Sequence, residues 1–477
     1  MRLNYLPLIF ALMALLNISR AQDIPPVYEY STTSAPAGMV QFDFDISDSL
    51  LADISNNHCL IYRDQPQTSW NMDGMDFLYS ICSTYTFSTQ ISYTPPSGVL
   101  EWYLHSENDT AVVSQSPKNE ADQFPPPMYL MVDMGADPIG DAEGTSENHQ
   151  DITHLYAGYS DTKLYFRLDN NGGGFPTSSG LFTYFIYTVG IVDPNTTDSV
   201  AYALVYASVP GLFSPGLYML DITDSSFSQI GSISTQMSGN SLYMSCDISD
   251  LTSQPSWSDW PPPAGFIGTA PVTATQVLLD MQMNDMGKSG LFMPKSNLLD
   301  FSMVNSSPSL SDVNVHLLSP DTVAAEITYT DDDNHLSVLR SFNFESADYS
   351  MGACIKTYDS GAVFEHNMTV TETGWYRYYF EFSDGVDTVI TALDSIYVEL
   401  ETYICGDANG DETVNVSDGV HIVNYIFAAG LPPDPIDSGD VNCDGTCNVT
   451  DSVWIINYIF TGGNAPCDTD GDGESDC

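Results

Sequence analysis

Between about residue 22 and residue 400 the apolar positions fall in short runs rich in Tyr, Phe, Val, Ile and Thr, each closed by Gly, Pro, Asn, Asp or Ser. Residues 40–46, 99–104, 164–168, 181–189, 200–209 and 375–382 are examples. Branched and aromatic residues in runs of this length, separated by turn formers, predict strands. No long helical periodicity interrupts them, which favours β-sandwiches over alternating strand and helix units. After residue 403 the period changes. Val420, Val423, Ile426 and Phe427 return as Val453, Ile456, Ile459 and Phe460, at steps of one, three and four. Two amphipathic helices facing a shared core are expected there, with Gly430 and Gly462-Gly463 at their ends.

Prolines punctuate the β region. Gln123-Phe124-Pro125-Pro126-Pro127 is stiff and cannot pair as a central strand, and a second break lies near Asn305-Ser306-Ser307-Pro308. The expected division is 22–122 and 304–402 as immunoglobulin-like sandwiches, 123–303 as a longer sandwich with a proline-rich insertion at 257–263, and 403–477 as the helical module. Before these, Arg2, an apolar run over 6–16 and the small residues Ser19 and Ala21 read as a secretory signal peptide over 1–21, leaving Gln22 first. The alternative is a retained N-terminal anchor. No later stretch approaches the roughly 18 apolar residues of a membrane span, so an exported chain with no membrane span is expected.

Charge narrows the partners. With 63 acidic and 11 basic residues and a formal charge of -52, nucleic acid and anionic lipid are excluded as expected partners, and cations are favoured. Nine cysteines in an exported chain imply disulfides, with at least one thiol left over or paired between chains. Five of them (Cys405, Cys443, Cys447, Cys467, Cys477) crowd the C-terminus, and Cys59 with Cys82 is the local pairing expected in the first domain.

The helical module begins each half with the same loop. Asp407, Asn409, Asp411, Thr413, Asn415 and Asp418 recur as Asp440, Asn442, Asp444, Thr446, Asn448 and Asp451, and 14 of the 24 positions from 407 to 430 are identical to those 33 further on. Side-chain oxygens stand at loop positions 1, 3, 5, 9 and 12, with a carbonyl at 7, the arrangement by which a 12-residue loop surrounds a hard divalent cation. Calcium is the expected cofactor. Position 12 is Asp rather than Glu, and position 6, normally Gly, is Gly445 in the second loop but Glu412 in the first, which predicts a strained or weaker first site.

This pair of loops and helices, over about 403–463, resembles the dockerin domain. The resemblance implies calcium-dependent folding and docking onto a cohesin domain of a scaffold or surface protein. By the same resemblance Val416, Ser417 and Asn424, and their counterparts Val449, Thr450 and Asn457, face the cohesin, and the near identity of the two faces lets either dock. No Lys or Arg follows Arg377, which points to a non-cellulosomal partner. The tail from Cys467 to Cys477 resembles a thrombospondin type 3 calcium repeat, with Asp470, Asp472 and Asp476 as candidate ligands, a solvated acidic tail being the alternative.

In the middle region, Asp133, Asp137, Gly140, Asp141 and Asp151, followed by Asp161-Thr-Lys163-Leu-Tyr165-Phe, resemble family 9 carbohydrate-binding and DOMON-like sandwiches. If polysaccharide binds, Trp257 and Trp260 are the stacking candidates, packing residues in a proline-rich loop being the alternative. The third domain resembles bacterial surface immunoglobulin-like and polycystic-kidney-disease-type domains. Its Asp331 and Asp333 are either calcium ligands or a solvated acidic turn.

The familiar zinc, serine-hydrolase and phosphate-loop motifs are missing; His149 and His154 beside Asp141 and Glu147 are the nearest approach to a catalytic or zinc cluster, and a surface loop is the expected reading of them. His58-Cys59 reads as one half of a disulfide rather than a catalytic pair. The expectation is a mainly β, secreted or cell-surface adaptor or carbohydrate-binding protein. A polysaccharide hydrolase tethered by its dockerin, with an unrecognised catalytic sandwich, is the alternative, and a purely structural surface protein is a third.

Overall fold

The computed structural model describes residues 29–32, 39–47, 57–65, 67–92, 97–108, 111–144, 147–196, 199–221, 226–278, 280–300, 305–400, 403–471 and 473. The expected signal peptide lies outside them. Each predicted strand run overlaps a strand, with 181–189 starting two residues before Thr183–Val192 and 200–209 ending two after Val200–Ala207, and the alternation explains which face is inward. In Met39–Ser47 the side chains of Val40, Phe42, Phe44 and Ile46 are buried in one core, whereas Asp43 and Asp45 point the other way.

Glu29–Thr32, Met39–Ser47, Thr84–Ser92 and Asp76–Ile81 form a four-stranded antiparallel sheet. Its apolar face packs on Leu60, Leu100, Trp102, Leu104 and Val113, which belong to a second, 13-stranded sheet. That sheet is continuous across the proline-rich stretch. Ser289–Met293 pairs in parallel with Ala111–Gln115, and Asn297–Asp300 pairs with Val99–Glu107, so residues on both sides of the expected boundary at 122 share one sheet. Its other half, Thr183–Val192, Val200–Ala207, Gly216–Asp221 and Ile267–Val277, packs on a five-stranded sheet that includes Val132–Ala136, Ile152–Tyr159, Lys163–Asn170 and Ser241–Asp247. A smaller cluster with Ile186, Ala203, Val205 and Val272 occupies the opposite face of those strands.

Residues 309–398 form a separate sandwich. Its sheets contain Ser309–Ser319, Thr322–Thr330, Ala362–Thr369 and Gly352–Ala353, and Ala347–Ser350, Leu339–Phe344, Gly374–Ser383, Thr388–Ile390 and Asp394–Val398. Phe342, Phe364, Phe380, Phe382 and Tyr329 fill the space between them. This sandwich is tied to the first sheet. Cys82 is disulfide-bonded to Cys354, not to Cys59. Cys59 lies on His58–Asp64, a strand of the opposite sheet, and its thiol is free. The local pairing expected from sequence is therefore replaced by one that spans 272 residues.

The C-terminal module holds α1 (Val416–Ala428) and α2 (Val449–Thr461). Each begins with a capping box, Asn415 with Asp418 and Asn448 with Asp451. Ala408, Ile422, Val441 and Ile455 make its core, with Ile426, Cys447 and Trp454 partly buried against it. A disulfide between Cys405 and Cys467 closes the module near its two ends.

Candidate metal centre and docking face

In the first loop the buried Asp407 carboxylate accepts hydrogen bonds from the backbone N–H groups of Gly410 and Asp411, each at 3.0 Å, and of Glu412 at 2.7 Å. Asp418, fully buried, accepts from Asn409 at 3.1 Å and from Asn415 at 2.7 Å, closing the loop from its far end. Asp411 accepts from the Thr413 N–H at 3.1 Å, and Asn415 both caps α1 through Ser417 and donates to the Thr413 carbonyl at 2.9 Å.

The second loop repeats the plan. Asp440 accepts from Asp444 at 3.1 Å and Gly445 at 2.8 Å, while Asp451 accepts from Val441, Asn442 and Asn448 at 2.9, 3.2 and 2.7 Å. Asn442 accepts from the Asp444 N–H at 3.0 Å, Asp444 from the Thr446 N–H at 3.0 Å, and Asn448 from the Thr450 N–H at 2.9 Å. All twelve expected side chains thus sit on two loops whose curvature their own backbones enforce.

The residues fit a hard cation. Burial, with Asp407 and Asp411 close by, raises the Asp418 carboxyl above its ordinary value, and burial with Asp440 close by does the same to Asp451. No Lys or Arg follows Arg377 to compensate these acids. An all-oxygen donor set with several carboxylates and no basic residue suits calcium; the residues that would hold it are Asp407, Asn409, Asp411, Thr413, Asn415 and Asp418 in one loop and their counterparts in the other.

The tail follows a similar rule. Buried Asp468 accepts from Gly471 at 2.7 Å and Gly473 at 3.1 Å, as Asp407 does from the N–H groups three and five residues on. Asp470 is exposed beside it, and Asp472 and Asp476 lie outside the described residues. Sequence reasoning passed over Asp468. Its signal is a glycine three residues on, as Gly410 follows Asp407, and another five residues on, as Gly445 follows Asp440.

The helices correct one expectation. Val420, Val423 and Phe427 on α1, and Val453, Ile456, Ile459 and Phe460 on α2, do not face a shared core: all are exposed, Phe427 at 71% and Phe460 at 67%. The residues that do enter the core, Ile422 and Ile455, lie on the other side of each helix, and Ile426 is half-buried. Val416, Val420, Val423 and Phe427, spaced at four, three and four, make a continuous apolar stripe on α1, and Val449, Val453, Ile456 and Phe460 make the same stripe on α2. The predicted partner-facing residues Ser417, Asn424, Thr450 and Asn457 are exposed as well.

Elsewhere the candidate sites separate. Trp257 is buried against Tyr202 with ring centroids 5.2 Å apart, so it packs the core and offers no stacking face. Trp260 is half-buried and lines a shallow cavity of about 390 Å³ with Asp161, Thr162, Asp247 and Ser249. His149 is buried with Nδ1 2.8 Å from the Tyr187 hydroxyl, whereas His154 stacks on Tyr156, so the two do not form a cluster. Asp331 accepts from the N–H groups of Asp333 and His335, each at 3.0 Å, and these three side chains bring ligand atoms within 4.8 Å of one another.

Residues 405–460 match the dockerin type I domain family. No curated protein matches the chain. Among solved structures, dimeric latent PorU from Porphyromonas gingivalis aligns at 12% identity and a TM-score of 0.15, covering 79% of this chain and 33% of that one. Among the described residues no helix is long and apolar enough to cross a membrane.

Proposed function

We propose that this chain is an exported adaptor, or a carbohydrate-binding surface component, that docks through its calcium-loaded dockerin onto a cohesin-type partner. The dockerin itself supports a cohesin partner. The observation that carries the reading is the apolar stripe on each helix. Four large apolar side chains in a row, exposed beside an ordered loop, have no folding purpose, and burial against a partner would stabilise the complex by about 1.5–3 kcal/mol for each fully covered side chain. Asp418 and Asp451 close the capping boxes that fix each helix N-terminus, and as ligands they would couple calcium binding to where each stripe points. The sandwiches are then the presented cargo, with the Trp260 cavity as the place where a sugar would lie.

Calorimetry of the full chain against cohesins of its own secretome, with calcium and with chelator, tests the proposal. Calcium-dependent binding is expected. Val420→Asp or Val453→Asp alone should leave one working face, and the two together should remove binding. Retained affinity in the double variant would show that the stripes are not the docking faces. Release of reducing ends from a glycan panel would instead favour the tethered hydrolase.

A further inference from the structure

Outside the dockerin, three carboxylates from separate parts of the middle sandwich converge. Asp137 follows the strand Val132–Ala136, Asp141 lies on the turn beyond it, and Asp285 stands on Asp280–Met286. Each brings an oxygen within 4.8 Å of the other two. The turn is already fastened to that strand, because Glu143 N–H donates to the Asn284 carbonyl at 2.6 Å and the Asn284 amide returns a bond to Glu143 at 2.9 Å. Buried Asp285 accepts from the Ile152 N–H at 2.6 Å.

A fourth carboxylate acts on the group electrostatically. Asp151 is 4% exposed. One of its oxygens accepts from the Gly140 N–H and the Asn171 amide, each at 2.8 Å. The other is buried with no hydrogen-bond partner, and so is Oδ2 of Asp137. The Asp151 charge acts on both Asp137 and Asp285. Carboxylate oxygens that have lost water and gained no donor are costly, and folded proteins keep them where a cation completes them. The basic group that reaches Asp137 electrostatically, Lys288, has its ammonium committed at 2.7 Å to both Glu107 and the Asn108 carbonyl. Burial, then the neighbouring acids, pushes Asp137 up to about 7, and burial pushes Asp285 up to about 6.

We propose that Asp137, Asp141 and Asp285, backed by Asp151, form a calcium site that pins the 137–144 turn to the strand Asp280–Met286. Hard carboxylate oxygens without histidine or thiol select calcium over softer metals. This site is independent of the dockerin loops, and its loss leaves them intact.

Calcium titration of the full chain by calorimetry, alone and as Asp141→Asn, reads the site directly, since exposed Asp141 can be neutralised without disturbing the core. The variant should bind one calcium fewer, or bind it at least about tenfold more weakly, while cohesin binding stays unchanged. Hydrogen exchange gives a second readout. Calcium should slow exchange over 137–144 and 280–286 in the parent but not in Asp137→Asn/Asp285→Asn. In chelator that double variant should melt above the parent, because neutral amides remove the repulsion. Unaltered stoichiometry and affinity in Asp141→Asn, together with calcium-dependent protection retained in the double variant, would overturn the proposal.

Discussion

Glu412 and Gly445 occupy the same place in the two calcium loops and the same left-handed backbone, at φ 64° and 82°. Glycine takes that conformation without penalty, whereas a residue with a Cβ loses roughly 1–2 kcal/mol. Glu412 is held there by its N–H bond to Asp407, so the loop's curvature overrides the residue's preference. Glu412→Gly is expected to tighten calcium binding at the first loop about two- to fivefold, after allowance for glycine's freedom in the unfolded chain. A two-site calorimetric titration checks it; an unchanged first-loop affinity would mean that the strain is not carried into the bound state.

The helix ends differ in the same sense. Ala429 closes α1 in a left-handed conformation at φ 54°, where the second repeat has Gly462 at φ 71°. Gly430 N–H bonds back to the Asn424 carbonyl at 3.0 Å, so the end is well formed and the Cβ is the misfit. Ala429→Gly should stabilise the dockerin by about 0.5–1 kcal/mol, read as slower hydrogen exchange in α1 with α2 as the internal control.

His58 supplies a pH dependence with a defined sign. Its ring lies 4.2 Å from that of Phe87, Nδ1 meets the Ser106 hydroxyl at 2.9 Å, and Nε2 is buried without a partner. Burial lowers its pKa from 6.5 to about 4. Between those values the folded state holds fewer protons than the unfolded state, so this residue's contribution is intact above the upper value and is lost as pH falls through the window. Urea unfolding near pH 7 and near pH 5 should show a larger drop for the native chain than for His58→Phe. Equal drops would mean that the ring is solvated.

The dockerin was legible in sequence because everything it needs is local. The candidate ligands lie within 12 residues and the helix caps within four, and the repeat marks both. The helix periodicity was legible too, but a period shows only that Val420 and Phe427 share a face, not whether protein or partner covers it. Strand runs such as 40–46 could be read from alternation, whereas the partner strand of Ser289–Met293 could not, since pairing with Ala111–Gln115 depends on contacts across most of the chain. Cys82 failed for the same reason. Loop closure favours a near cysteine, but on the strand His58–Asp64 it is His58 and Leu60 that face the sheet holding Cys82, and Cys59, between them, faces the other way. Asp285 joins Asp137 and Asp141 only through tertiary structure, so spacing could not reveal it.

The contact between the first sheet and the third domain is charged as well as covalent, and this makes its strength testable. Arg340 Nη1 lies 2.8 Å from Asp43 Oδ2, both side chains being almost wholly buried, and Lys356 pairs with Asp45 alongside. Burial alone would raise the Asp43 carboxyl, but Arg340, with hydrogen bonds from Gln41 and Ser88, outweighs it and holds the carboxyl below its ordinary value. A buried pair of this kind gives little net stability over an apolar pair, yet breaking it strands a charge. Arg340→Met should therefore cost about 3–5 kcal/mol, while Arg340→Met with Asp43→Asn should recover most of that. Denaturant unfolding with the Cys82–Cys354 bond intact is the measurement. A loss below about 1 kcal/mol in the single variant would show that water reaches Asp43 and that this pair adds little to the join between the two domains.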